Sequence, residues 1–313
     1  MLDSLDSLIA AARAVHFAAT IVLFGQFAFV LVVSPARQPP PHFVRTMAWS
    51  LALALASALA WLALEAAAMS GLPLRDALSM ETLATVAKET RFGRVWLARM
   101  LLGVALILIV VALRRPRPDR SATLGLGGTL ATLLVVTPAG MGHATVGRGV
   151  DELVHLGVDA GHLLAAGLWL GTLVPLLGVL ERSRRAGDMA SVGLAAAATQ
   201  RFSVLGIVSI ALILASGVAN ACYMVHSLAA LADSGYGRLL VTKVLLFAAI
   251  VAIAAVNRQR LTPRLTNGAP GDAAAALRAL NRNALLESLL GFAIIAIVGW
   301  LGITMPPMHV HAR

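Results

Sequence analysis

Residues 153–180 read LVHLGVDAGHLLAAGLWLGTLVPLLGVL, a run in which only His155, Asp159 and His162 can ionise. A bilayer core needs roughly 20 apolar residues per helix, and this stretch exceeds that length. Seven more runs of the same kind lie at about 7–33, 46–69, 95–113, 121–141, 202–225, 239–256 and 284–304. Across 313 residues, 59% are hydrophobic and 13% charged, and the mean hydropathy is +0.84. No soluble domain of ordinary composition fits those values. The reading is an all-α polytopic membrane protein with about eight transmembrane helices. The longest connections, about 70–94, 181–201 and 257–283, are too short for an independent catalytic domain, and the chain has no Walker-type phosphate loop. Direct ATP hydrolysis is not expected, and the chain is read as a non-enzyme.

A formal charge of +10 raises the question of nucleic acid, and the placement of the charges answers it. Counting alternate connections, one side carries 15 Lys/Arg against four acids, including Arg114, Arg115, Arg117 and Arg120, then Arg182, Arg184 and Arg185, then Arg258, Arg260 and Arg264. The other side, with Arg13 counted at the edge of the first run, carries eight basic residues against eight acids. By the positive-inside rule the first side is cytoplasmic and both termini are periplasmic. The charge is an orientation signal for the lipid bilayer, and no nucleic-acid partner is expected. Asp3 and Asp6 precede the first run, the wrong sign for a cleaved signal peptide, so that run is read as retained. The single cysteine, Cys222, excludes an internal disulfide and a multi-cysteine metal site.

The chain repeats itself. Arg13-Ala-Val-His16 with Gly25 in the first run matches Asp159-Ala-Gly-His162 with Gly171 in the fifth, and in both the histidine and glycine are nine residues apart. Phe92-Gly93-Arg94 with Arg99 at the third run matches Tyr236-Gly237-Arg238 with Lys243 at the seventh, each with a leucine pair behind it. The fourth run ends on Pro138, Met141 and His143, the eighth on Pro306, Met308 and His309. Repeats with an even number of helices are parallel, related by a pseudo-twofold axis along the membrane normal. The expected units are residues 1–146 and 147–313, two four-helix repeats that put His16 and His162 at matching depths, where they are expected to contribute to one central site.

Every histidine except His42 falls on the outward side or in the outer part of a helix, as do Met69, Met80, Met141, Met224, Met305 and Met308. Imidazole binds several transition metals, and thioether favours soft Cu(I), so this mixture points to copper before magnesium or calcium. His155, Asp159 and His162 are spaced i, i+4, i+7, one face of a helix. An ionisable group inside a membrane helix costs roughly 2.5–3.5 kcal/mol on insertion scales, so Asp159 needs a partner or a role. One role is to orient His162 as a ligand; an interhelical hydrogen bond or a pairing with Arg13 also satisfies the need. Cys222, Met224 and His226 form a weaker group, and the tail Met305-Pro-Pro-Met308-His309-Val-His311 reads as a capture segment. The candidate ligands are therefore His16, His143, His155, His162, His226, Met141, Met305, Met308, His309 and His311. Asp159, Glu65, Arg99 and Lys243 are expected to support or pair. Glu287, at the start of the eighth run, is within expected reach of Arg258.

Over about 142–307 the chain resembles the copper resistance protein D (CopD-like) family of membrane proteins. The residues that carry the resemblance are Gly142-His143-Ala144, Asp159 to Gly171 with Trp169, Arg201-Phe202-Ser203, Ser216-Gly217, Tyr236-Gly237-Arg238 with Lys243, Asn257-Arg258, Glu287 and Pro306-Pro307. The resemblance implies movement of copper, as Cu(I) or Cu(II), across the bacterial inner membrane toward the cytoplasm, received from a separate periplasmic CopC-like chaperone. Two other readings share these features. One is a copper-binding scaffold at the outer face. The other is a membrane oxidoreductase holding haem b between histidines on separate helices, since small histidine-bearing membrane proteins of the protoporphyrinogen oxidase type are similar to one repeat.

Overall fold

The computed structural model describes residues 2–35, 39–115, 119–141, 150–224 and 233–304. Eight helices among them are long and apolar enough to cross a membrane. They are α1 (Leu2–Ala28), α2 (Pro41–Ser70), α3 (Arg91–Arg114), α4 (Ser121–Val136), α5 (Val150–Ala186), α6 (Met189–Met224), α7 (Gly235–Val256) and α8 (Pro270–Leu301). Among the described residues there is no strand.

The connections are more helical than hydropathy suggests. Residues 70–94 carry two short helices, Leu74–Ala77 and Met80–Glu89. Only two residues separate α5 from α6, with Gly187 in the left-handed region at φ 69°. At 37 residues, α5 is about 55 Å long at ~1.5 Å per residue, well beyond a hydrocarbon core of about 30 Å. Its polar end continues as helix because water and side chains satisfy what lipid cannot. Thr90 and Ser234 cap α3 and α7 alike, each hydroxyl accepting from the backbone N–H of the motif glycine, Gly93 or Gly237, at 2.9 Å. The aligned motifs thus begin their helices with the same cap.

At the centre, α1 packs on α2, α4, α5 and α8, and α5 packs on α6, α8, α1 and α4. α3 pairs with α2 and α4, and α7 with α8. Gly25 of α1 and Gly171 of α5 meet backbone to backbone, so that a Cβ on either would overlap the other helix's main-chain atoms. This close approach is the use of small residues in membrane helix packing, where dispersion replaces the hydrophobic drive. Along the most apolar stretch of each helix, α1 is 61% buried, whereas α6 and α7 are 11% and 6% buried. Residues such as Leu101, Leu108, Val218 and Leu245 are the exposed apolar surface that lipid covers. α6 meets the short helix Thr262–Asn267 beyond α7, and a cavity opens between α5, α6, α7 and α8.

Candidate metal-binding face

His16 sits on α1, 1% exposed, beneath the tilted ring of Trp61. Its Nδ1 lies 2.8 Å from the carbonyl oxygen of Ala54 and 3.3 Å from Ser57 Oγ. The Ser57 hydroxyl donates to Leu53 at 2.7 Å, so the proton between them belongs to the ring. Nε2 accordingly carries the lone pair, and Arg99 of α3 donates to it from Nε at 3.1 Å and from Nη2 at 2.6 Å. Arg99 is itself 1% exposed and also donates to Leu134 O at 2.7 Å and to Thr137 Oγ1. A buried guanidinium is thus held by neutral acceptors from α1 and the end of α4, and both nitrogens of His16 are used.

His162 on α5 has the same tautomer with a different outcome. Its Nδ1 is 2.9 Å from Ser216 Oγ on α6, and the Ser216 hydroxyl donates to Leu212 at 2.5 Å. The ring therefore donates from Nδ1 and presents its lone pair at Nε2, which among the described residues has no hydrogen-bond partner. A neutral imidazole oriented through its other nitrogen is the form that binds a metal. One turn away, Asp159 accepts from Asn220 Nδ2 at 3.3 Å. Lys243 of α7 lies within electrostatic reach of both Asp159 and His162. Three helices, α5, α6 and α7, thus converge on this face.

The partners of His16 and those of His162 are different residues on different helices. α1 and α5 touch at Gly25 and Gly171, about 13 Å farther along each helix at ~1.5 Å per residue, and each ring turns into its own half of the bundle. Among the described residues no group of three or more His, Cys, Asp or Glu is close enough to hold a metal ion. Met141 packs on the apolar cluster of Ala58, Leu62, Ala66 and Trp96. Glu65 accepts from Trp61 Nε1 at 2.9 Å and lies within electrostatic reach of Arg13, whose guanidinium stacks over Trp61 at 5.0 Å. Arg13 therefore serves α1 and α2 rather than Asp159. Glu287 takes Asn257, not Arg258, as its partner. His143, His226, Met305, Met308, His309 and His311 lie outside the described residues.

Ser57 and Ser216 are absent from the reading of repeats, although the signal is present in the sequence. Leu53-Ala-Leu-Ala-Ser57 and Leu212-Ile-Leu-Ala-Ser216 share the pattern Leu-x-Leu-Ala-Ser, and each serine anchors the Nδ1 of its histidine. Serine in an apolar helix is common enough to be passed over until its partner is known.

Residues 1–153 match the family model described as copper resistance protein D-like, N-terminal domain, and residues 196–301 match that described as copper resistance protein D. The inner membrane protein YebZ of Escherichia coli (strain K12) is 31% identical over 258 residues, 82% of this chain and 84% of that protein. Copper resistance protein D of Pseudomonas syringae pv. tomato is 31% identical over 226 residues, 71% of each chain. The copper transport protein CutJ of Bacillus subtilis (strain 168) is 29% identical over 175 residues, 54% of this chain and 30% of that one. No solved structure matches the chain.

Proposed function

The chain belongs to the copper resistance protein D family and is a copper-related multi-pass protein of the inner membrane; from that premise we propose that it takes copper from the periplasmic side toward the cytoplasm through its second half. The single observation that supports this is the contrast between two like-oriented histidines: Arg99 occupies the lone pair of His16, and that of His162 has no hydrogen-bond partner among the described residues. Copper is the substrate here. His162 supplies a nitrogen ligand at Nε2, with His155 and Asp159 beside it. His143, which precedes α5 in the chain, and His226, which follows α6, complete the donor set. The tail from Met305 to His311 captures the incoming ion, delivered by a CopC-like chaperone.

In this reading residues 1–146 and 147–313 are parallel repeats, and both termini are periplasmic. Support comes from matched helix caps at Thr90 and Ser234, matched serine anchors at Ser57 and Ser216, and the common packing of α1 and α5 on their neighbours. The first repeat has become scaffold, with a cation plugging the position where the second repeat takes its ion. Haem gains nothing from this arrangement, because an axial ligand needs an open ring nitrogen and His16 offers none.

The test is copper accumulation at limiting external copper by cells carrying wild type, His162→Ala or His16→Ala, alongside metal analysis of each purified chain. Loss of uptake and bound copper in the His162 variant, with copper per folded chain retained in the His16 variant, is the expected pattern. Full uptake with His162→Ala overturns the reading.

A further inference from the structure

Toward the basic end of the bundle, α8 carries a carboxylate that the copper face does not use. Glu287 is 1% exposed. Its Oε1 accepts from Asn257 Nδ2 at 2.6 Å, and its Oε2 has no partner among the described residues. It lines a cavity of about 190 Å³ walled by Trp169, Leu173 and Leu176 of α5 and by Phe202 and Ser203 of α6. At ~30 Å³ per liquid water that volume has room for a short file of waters. The mouth is marked by exposed Arg258 and Gln259.

Asn257 cannot turn away from this carboxyl. Its Oδ1 accepts from Asn283 Nδ2 at 2.7 Å, and its carbonyl accepts from Thr262 Oγ1 at 2.9 Å. It opens a π-helical turn, Asn257–Leu261, an irregularity common at functional sites. Among the described residues no cation forms an ion pair with Glu287. Arg258, the charged residue among those lining the cavity, gives its Nη1 to Ser203 Oγ at 2.8 Å. α5 offers only apolar side chains here; its Glu181 is engaged by Arg184, Arg185 and Asn281. On α7, Lys243 is 14 residues from Asn257, about 21 Å at ~1.5 Å per residue. The titratable side chains described on α1, Asp6, Arg13 and His16, lie toward the other end, with Arg13 against Gly302. On α8 itself Arg282 is exposed.

An ionised carboxylate with one bare oxygen in an apolar wall is costly, and a neutral one is not. The surrounding donors are oxygens, which suit a proton or a hard cation and not soft Cu(I). We propose that Glu287 is a proton-binding site at the head of this cavity: Oε2 accepts one proton from cavity water and returns it to that water, and Asn257 holds Oε1 throughout. The site is independent of the copper reading.

The full chain in lipid nanodiscs is treated with dicyclohexylcarbodiimide, which adds to protonated carboxyls in apolar surroundings, and the adduct is mapped by mass spectrometry. The infrared spectrum is recorded in parallel. An adduct at Glu287 that declines as pH rises, with a deuterium-sensitive carboxyl C=O band that Glu287→Gln removes, is the expected result. Absence of both the adduct and the band overturns the proposal. Protection by sodium at fixed pH overturns it in favour of a metal cation.

Discussion

Arg99 Nη2 lies 2.6 Å from His16 Nε2, a buried cation donating to a neutral imidazole with no carboxylate among its hydrogen-bond acceptors. The pair joins α1 to α3, and the other hydrogen bonds of Arg99 join both to the end of α4. Removing either member strands the other, so His16→Ala and Arg99→Ala should each lower the melting temperature. The double variant should cost less than the sum, by about 0.5–3 kcal/mol for residues in one network. Strict additivity in a thermal double-mutant cycle contradicts a structural pair.

His162→Ala should behave in the opposite way. Its ring is held on α6 only, by Ser216 and the backbone of Ile213, with no buried cation to strand, so the melting temperature should shift little while bound copper falls. Ser216→Ala and Asp159→Asn leave Nε2 in place but loosen its orientation and field. Each should weaken copper affinity by roughly 10–100-fold, the usual range for groups that position a ligand. Competition titration against a Cu(I) chelator reads this directly, and unchanged affinity in both variants removes them from the site.

The contact of Gly25 with Gly171 predicts a steric test of the bundle. Gly25→Val and Gly171→Val force α1 and α5 apart and should abolish stable expression. Gly178→Ala and Gly193→Ala meet nothing within 4 Å and should be neutral or add up to about 1 kcal/mol through reduced chain entropy. Thermal melts of the four variants separate close packing from generic glycine loss.

Orientation is checked with Cys222→Ser as background and a cysteine placed between Arg114 and Arg120. An impermeant maleimide should fail to label it in intact cells and label it after lysis. Labelling in intact cells would reverse the topology and put the His162 face on the cytoplasmic side.

Deleting residues 305–313 should slow copper acquisition at limiting metal and spare folding, since the segment adds His309, His311 and Met308 without spanning lipid. Unchanged uptake at low copper makes the tail dispensable.

Membrane residence and eight spanning helices were legible because they depend on a local property, hydropathy summed along one helix. The ends of helices were less legible: α5, α6 and α8 run on past their apolar stretches into water, where hydropathy falls but backbone hydrogen bonding continues. The motif Phe92-Gly93-Arg94 was seen, but not its cap on Thr90.

What each histidine can do was decided only by tertiary structure. From spacing alone His16 and His162 are equivalent, nine residues before a glycine on matching helices. Arg99 reaches His16 from 83 residues away, and Ser216 reaches His162 from 54 residues away. Both partners orient Nδ1 or Nε2 through directed hydrogen bonds that no periodicity encodes. The same holds for Glu287, which the sequence placed near Arg258, and which the π turn at Asn257 brought to an amide instead. A chain's order determines which helices form and where lipid holds them; which lone pair is covered and which is open depends on angles and distances between helices, set when they pack.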